Sequence, residues 1–166
     1  MSFLDFPDDD PKRKARRPLL VFLIISLGVG AIGSAITGPA IDGWYAALNR
    51  PSFTPPDWVF APVWTVLYVL MAVAAWRVWR KLGTNSIAIH FWAIQLLLNV
   101  GWSFLFFGLH QIGLALIELI LLWLVLVATT SLFWREDRVA GLLLLPYLLW
   151  VGFAGALTHG FWVLNG

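Results

Sequence analysis

Polar and aromatic side chains that could form a binding site recur at helical spacing inside long apolar stretches of this chain. One such stripe consists of Phe91, Gln95, Asn99, Trp102 and Phe106. Its members are three or four positions apart, so they share one face of a helix. Two amides beside several aromatic rings suit a flat, largely apolar ligand that needs a few hydrogen bonds at its edge. The stripe therefore predicts one wall of a ligand pocket.

Two other apolar stretches carry comparable stripes. Their members are Trp64, Tyr68, Met71 and Ala75 in one stretch, and Tyr147, Trp150, Ala154 and Leu157 in the other. If the three stripes converge, indole, phenol and methyl groups wall a shared pocket. For Trp64, Trp102 and Trp150, periodicity alone leaves ligand contact and plain core packing equally open.

Other kinds of chemistry find little support in the sequence. His90, His110 and His159 stand in separate segments without the spacing of a metal site, so no metal is expected. Glu118 is the only carboxylate inside an apolar stretch, and such an acid usually points to a function. Because no second buried acid could form a proton relay with it, we expect a structural hydrogen bond rather than proton transport. No Ser-His-Asp order, phosphate-binding loop or carboxylate pair indicates catalysis by such groups.

The composition is that of a membrane protein. Of the 166 residues, 60% are hydrophobic and only 12% are charged, and the mean hydropathy is +0.82. Apolar stretches at 19–38, 59–79, 87–108, 112–134 and 139–163 are each close to the ~20 residues that cross a bilayer. They predict an all-α bundle of five transmembrane helices spanning residues 19–166. Short connections after the second, third and fourth helices predict that consecutive helices are antiparallel neighbours.

The charged residues predict a tail and an orientation. Residues 1–18 hold an acidic patch followed by Lys and Arg residues and have little apolar content, which predicts a disordered N-terminal tail. With five spans, every Lys and Arg except Arg50 falls on one side, which predicts a cytoplasmic N-terminus. We expect the membrane to be a bacterial cell membrane. The net charge is only +2 and the basic residues adjoin the spans, so nucleic acid is not an expected partner.

The segment between the first two spans has a distinct composition. Pro51, Pro55 and Pro56 cannot lie inside a helix and predict a stiff loop, whereas Pro62 suits the first turn of the second helix. We expect this loop to cap the bundle on the side opposite the tail. The tryptophans near span ends are expected to be interfacial anchors: Trp44, Trp58, Trp79, Trp134 and Trp162.

Three motifs in order resemble those of one known family. WYAALNRPSFTPPDWVFAPVWTVLY, QLLLNVGWSFLFFG and PYLLWVGFAGAL strongly resemble the tryptophan-rich sensory protein and translocator protein family, formerly called the peripheral benzodiazepine receptor. The resemblance covers about residues 28–164. The resemblance implies a five-helix bundle that is usually a homodimer. It also implies that the protein binds porphyrins such as protoporphyrin IX and synthetic benzodiazepine-type compounds. The porphyrin would be a ligand and not an obligatory cofactor. The resemblance also implies a pocket formed by Trp64, Asn99 and Trp150, with Tyr68, Ala154 and Leu157 in its wall.

The resemblance leaves more than one function open. A tetrapyrrole-binding membrane sensor or carrier is the main hypothesis. Some bacterial members are linked to light- and oxygen-dependent porphyrin breakdown that involves the residues matching Trp64 and Trp150, which makes photo-oxidative degradation an alternative. A transporter is a third hypothesis, although the five spans show no internal repeat. Sterol binding is not expected, because the tyrosine and basic residue of the animal cholesterol pattern are absent after Tyr147.

Overall fold

Five long helices make up nearly all of the computed structural model, which describes residues 11–166 and their side chains from Arg17 onward. They are α1 (Pro11–Ala40), α2 (Phe60–Leu82), α3 (Ile87–Ser103), α4 (Ile112–Glu136) and α5 (Arg138–Asn165). A π-helical turn, Ile41–Tyr45, continues α1, another, Phe104–Gly108, continues α3, and a 3-10 turn, Asp57–Val59, precedes α2. All five helices are long and apolar enough to cross a membrane. The predicted all-α bundle of five membrane spans is therefore confirmed, and the chain is a multi-pass membrane protein.

The first helix begins earlier than its apolar stretch. Residues 11–18 are helical where the sequence predicted a tail, and residues 1–10 of that tail lie outside the described residues. Pro11 occupies the first position of the helix, where its missing N–H has no helical partner. The following Lys and Arg residues are good helix formers, so they extend the helix beyond the apolar span.

Neighbours in the bundle follow the order α1, α2, α5, α4, α3 and back to α1. This order differs from the prediction that all consecutive helices are neighbours. α2 and α3 are joined by a short turn at residues 83–86 but meet only sparsely, because α1 packs against both of them. The prediction holds for α3 and α4 and for α4 and α5, and the interface between α4 and α5 is the most extensive in the bundle.

At the end where α2 terminates, here called the basic end, a buried carboxylate joins three helices. Asp137 Oδ1 accepts hydrogen bonds from the backbone N–H of Val139 (2.9 Å) and Ala140 (3.2 Å) and so caps α5. Arg77 donates to both carboxylate oxygens, with N–O distances of 3.1 Å, and Lys81 Nζ lies 3.6 Å from Oδ2. Burial alone would raise the pKa of Asp137, but the hydrogen bonds from Arg77 and Ala140 and the neighbouring positive charges hold it below its ordinary value.

At the opposite end, here called the loop end, the proline-rich segment is fastened to α5. The backbone N–H of Asn49 donates to Asn165 Oδ1 (2.8 Å), and Asn165 Nδ2 donates to the Asn49 carbonyl (3.0 Å). Pro51 packs so closely on Gly160 that a Cβ at this glycine would lie 2.7 Å from the proline Cγ. Residues 49–56 are not helical and Pro62 lies in the first turn of α2, so the predicted irregular loop is confirmed.

Candidate functional site: an aromatic cavity at the loop end

A cavity of about 400 Å³ lies between the helices at the loop end. Seven of the eight residues predicted for the pocket line it: Trp64, Tyr68, Asn99, Trp102, Trp150, Ala154 and Leu157. The α2, α3 and α5 stripes therefore converge at this end of the bundle. The eighth residue, Gln95, does not line the cavity.

A chain of hydrogen bonds forms the floor of the cavity. The Tyr68 hydroxyl donates to Asn99 Oδ1 over 2.6 Å, and Asn99 Nδ2 donates to the Tyr147 hydroxyl over 3.0 Å. Tyr147 is fully buried beneath the cavity, whereas Tyr68 and Asn99 belong to its lining. Trp64 stacks on Tyr68, with ring centroids 5.6 Å apart, and meets Tyr147 edge-on. The floor is therefore polar at its centre and aromatic around it.

Below this floor the stripes pack against one another and leave no room for a ligand. Gln95 is fully buried, with its Nε2 3.6 Å from Met71 Sδ. Ala72, Ala74 and Ala75 on α2 are completely inaccessible, and such small side chains let helices approach closely. Helical spacing places Gln95 on the same stripe as Asn99, but it does not reveal at which depth the helices separate.

Aromatic rings from four parts of the chain form the upper walls. Trp102 stacks on Phe106 with centroids 5.5 Å apart, and Phe106 also meets Phe161 at 5.8 Å. Phe106 and its neighbour Phe107 both line the cavity, and both belong to the π-helical turn that continues α3. Such turns often mark functional sites, because they change which side chains face inward. On the opposite wall, Trp150 meets Phe60 and Phe153.

The α1 wall is the part of the site that the stripes did not predict. Gly30 allows the ring of Tyr68 to lie against α1, since a Cβ at this position would be 2.7 Å from Tyr68 Cε2. Ala31 and Ser34 of α1 and Thr65 of α2 line the cavity and are exposed, so the cavity opens along the seam between these two helices. The pair of small residues Gly30 and Ser34 is the available sequence signal, but it also fits ordinary helix packing.

Glu118 lies outside this cavity. Both of its carboxylate oxygens are buried and have no hydrogen-bond partner among the described residues, so the structural hydrogen bond expected for this side chain is not formed. The carboxyl group faces Gly101 of α3, where a Cβ would be 3.4 Å from Glu118 Oε1. Glycine at that position makes room for the carboxyl group between α3 and α4.

The tryptophans expected at the interface occupy different settings. Trp58, Trp134 and Trp162 lie at helix ends and are exposed. Trp44 instead stacks on His110 with centroids 4.2 Å apart, and the Trp79 indole donates to a neighbouring threonine, Thr84, over 3.0 Å. None of the five belongs to the cavity lining.

Together, the five spans and the aromatic cavity at one end define a polytopic membrane protein with an internal pocket. Comparison with known families adds that the TspO/MBR family model matches residues 21–163. The chain therefore belongs to the TspO/MBR family, as the three sequence motifs predicted.

Individual relatives agree with this assignment. The chain is 41% identical over 148 residues to protein CrtK of Rhodobacter capsulatus, covering 87% of this chain and 91% of that protein. It is 41% identical over 145 residues to the tryptophan-rich protein TspO of Chlorobaculum tepidum, covering 85% and 91%. It is also 38% identical over 147 residues to the translocator protein of Bos taurus, covering 86% of each chain.

Proposed function

We propose that this protein is a membrane sensor that binds a flat tetrapyrrole of the porphyrin class in the loop-end cavity. The observation that supports this most directly is the set of three indoles, Trp64, Trp102 and Trp150, that line one cavity. A tryptophan-rich sensory protein from Cereibacter sphaeroides, 38% identical over 147 residues, supports the sensory role through its name.

The chemistry of the lining fits such a ligand. Indole and phenyl faces stack favourably on a conjugated macrocycle, and burial of its apolar faces supplies most of the affinity. Tyr68 and Asn99 add polar atoms at the cavity floor. The volume of about 400 Å³ lies in the range of ordinary small-molecule sites, and the opening between α1 and α2 can leave an edge of a large ring outside.

Titration of the purified protein with protoporphyrin IX tests the proposal, with tryptophan fluorescence quenching as the readout. We expect Trp64→Ala and Trp150→Ala to weaken binding at least about tenfold, which corresponds to roughly 1.4 kcal/mol and is ordinary for a large aromatic contact. Trp58→Ala is the matched control, because Trp58 is 75% exposed and does not line the cavity. Unchanged affinity in both cavity variants, or an equal loss in the control, would contradict this site.

Photo-oxidative degradation of the bound porphyrin is a second candidate. Trp64 and Trp150 line the same cavity, so both indoles would be close to a bound macrocycle. Light would supply the excitation and dioxygen the oxidant. Illuminating the complex in air should then yield a new absorbing product, and the Trp64→Phe/Trp150→Phe double variant should slow its formation. Equal bleaching by the double variant would exclude a reaction directed by these residues.

We further propose that the protein lies in a bacterial cell membrane with a cytoplasmic N-terminus. The clustering of Lys and Arg at the basic end supports this orientation. The chain contains no cysteine, so single cysteines can be labelled without background. A membrane-impermeant reagent should label Ser52→Cys in intact cells but not Asn85→Cys, and the reverse pattern would overturn the orientation.

Homodimerisation, which the family resemblance implies, stays a prediction for this chain. Size-exclusion chromatography with light scattering in detergent would test it. A protein mass of twice 18.6 kDa is the expected result, and a mass of 18.6 kDa would contradict it.

A further inference from the structure

Arg50 lies beside the wall of the loop-end cavity, where it contacts two lining residues without belonging to the lining itself. Its Nη1 donates to both carboxylate oxygens of Asp57, over 3.0 and 3.3 Å. Its guanidinium carbon lies 4.7 Å from the ring centroid of Tyr45, a favourable cation–π distance. Asp57 and Tyr45 both line the cavity, so the guanidinium group is held directly behind two residues of the cavity wall.

The pairing between Arg50 and Asp57 leaves part of the guanidinium group available. An arginine usually binds a carboxylate through two parallel N–H groups. Here both oxygens of Asp57 meet the single atom Nη1, and no hydrogen bond in the described part of the chain uses Nε or Nη2 of Arg50. The side chain is 34% exposed, so a second anion can reach it.

Arg50 is far from every other Lys and Arg in the sequence. Between Arg17 and Arg77 the sequence contains no Lys or Arg other than Arg50. Asp57 is the only charged residue in the cavity lining, and the remaining lining residues are apolar or neutral. A carboxylate on a ligand would lose its hydration in the apolar interior without an ionic partner, and this is strongly unfavourable. A carboxylated ligand is therefore best placed with its apolar body inside and its acid group towards Arg50.

We propose that Arg50 binds a carboxylate of the ligand, and that Asp57 positions Arg50 for this contact. The ligand class is then a flat apolar ring system with an acidic edge. The inference rests on the proposed function, because it concerns the ligand of the same cavity. Beyond the proposed function, it predicts that the ligand has an acidic edge and that this edge points towards Arg50. Since Asp57 also repels an approaching carboxylate, the two residues should have opposite effects on binding.

The test compares protoporphyrin IX, which carries two carboxylates, with its uncharged dimethyl ester. We expect Arg50→Gln to weaken binding of the acid about fivefold, as loss of one charge-assisted hydrogen bond at a partly exposed site would do. We expect Asp57→Asn to strengthen binding of the acid about twofold, because asparagine can still accept from Arg50 but no longer repels the ligand. Neither variant should change binding of the ester, and high salt should weaken only the acid.

Arg80→Gln is the matched control. Arg80 also stacks on an aromatic ring, 4.9 Å from the centroid of Trp76, but it lies at the basic end and should not affect either ligand. Binding of the ester also reports whether each variant retains a folded cavity.

Different outcomes separate the two proposals. If wild type binds neither acid nor ester, the proposed porphyrin function fails, and this inference fails with it. If both ligands bind wild type but Arg50→Gln affects them equally or not at all, the carboxylate contact is wrong and the porphyrin function stands. A loss confined to the acid, together with tighter acid binding by Asp57→Asn, supports the contact.

Discussion

The hydrogen-bond chain at the cavity floor predicts which of two tyrosine substitutions, Tyr68→Phe or Tyr147→Phe, destabilises the protein more. Tyr68→Phe and Tyr147→Phe each remove a hydroxyl group that is hydrogen-bonded to Asn99. The donor–acceptor distance is 2.6 Å for Tyr68 and 3.0 Å for Tyr147. The shorter bond suggests that Tyr68→Phe is the more harmful change. Burial predicts the opposite, because the cost of a lost hydrogen bond depends mainly on whether the remaining partner can find another.

The surroundings of the two polar groups differ in this respect. After Tyr68→Phe, Asn99 Oδ1 can be satisfied by water or a ligand, because Asn99 and position 68 both line the cavity. The expected cost is about 0.5 kcal/mol, close to the average for hydrogen bonds between membrane helices. After Tyr147→Phe, Asn99 Nδ2 faces a fully buried ring and stays unpaired. The expected cost is about 1.5 kcal/mol, near the upper end of such measurements.

Equilibrium unfolding of the detergent-solubilised protein, followed by tryptophan fluorescence, measures both costs. Tyr68→Phe should also change affinity for a cavity ligand, whereas Tyr147→Phe should change stability alone. Combining each change with Asn99→Ala gives a double-mutant cycle, in which the effect of each tyrosine should largely disappear. A larger loss of stability in Tyr68→Phe than in Tyr147→Phe, or additive cycles, would refute this account of the floor.

Two further predictions concern other contacts of the bundle. Asp137→Ala removes the α5 cap and the ion pair with Arg77, and should lower the free energy of unfolding by about 2–3 kcal/mol, whereas Asp137→Asn keeps a cap and should cost less. The pKa of Asp137 is lowered in the folded state, so its ionic stabilisation is present above the ordinary aspartate pKa of about 3.9 and is lost as the pH falls below that value. The melting temperature should therefore fall less steeply with acid in Asp137→Asn than in wild type. Gly30→Ala should push Tyr68 off Asn99 and cost about 1–3 kcal/mol in thermal unfolding. Gly28→Ala is its control, since no atom lies within 4 Å of a Cβ there, and an equal loss in this variant would contradict the steric explanation.

The sequence predicts the helices better than it predicts the site. The spans are long runs of apolar residues, and a membrane permits few structures other than helices for such runs. Periodicity then predicts which side of α2, α3 and α5 faces inward, but for Trp64 and Trp150 it leaves core packing and ligand contact equally open. The family resemblance chose between them, and both indoles line the cavity together with Asn99. Periodicity does not reveal how far apart the helices are at a given depth, which is why Gln95 packs in the core beneath the cavity.

The contribution of α1 is harder to predict for a different reason. Its cavity-facing residues are small, among them Gly30, Ala31 and Ser34, and small residues indicate close packing of helices as readily as the wall of a pocket. The contact between Arg50 and Asp57 has a similar ambiguity. Arg50 and Asp57 are seven residues apart in an irregular loop without periodicity, so only the folded loop shows that they meet.

The difference between the two ends of the bundle explains why the cavity lies where it does. At the basic end, α2 presents alanines and Val78, which let the helices close completely, and the Asp137 ion pair holds them there. At the loop end, broad rings such as Trp150 and Phe106 line the space between the helices and leave part of it unfilled. The loop ties the far end of α5 through Asn165, so both ends of α5 are fixed while the space beside it stays open. Substitutions at the basic end should therefore change stability without changing ligand affinity, whereas substitutions of residues that line the cavity at the loop end should change both.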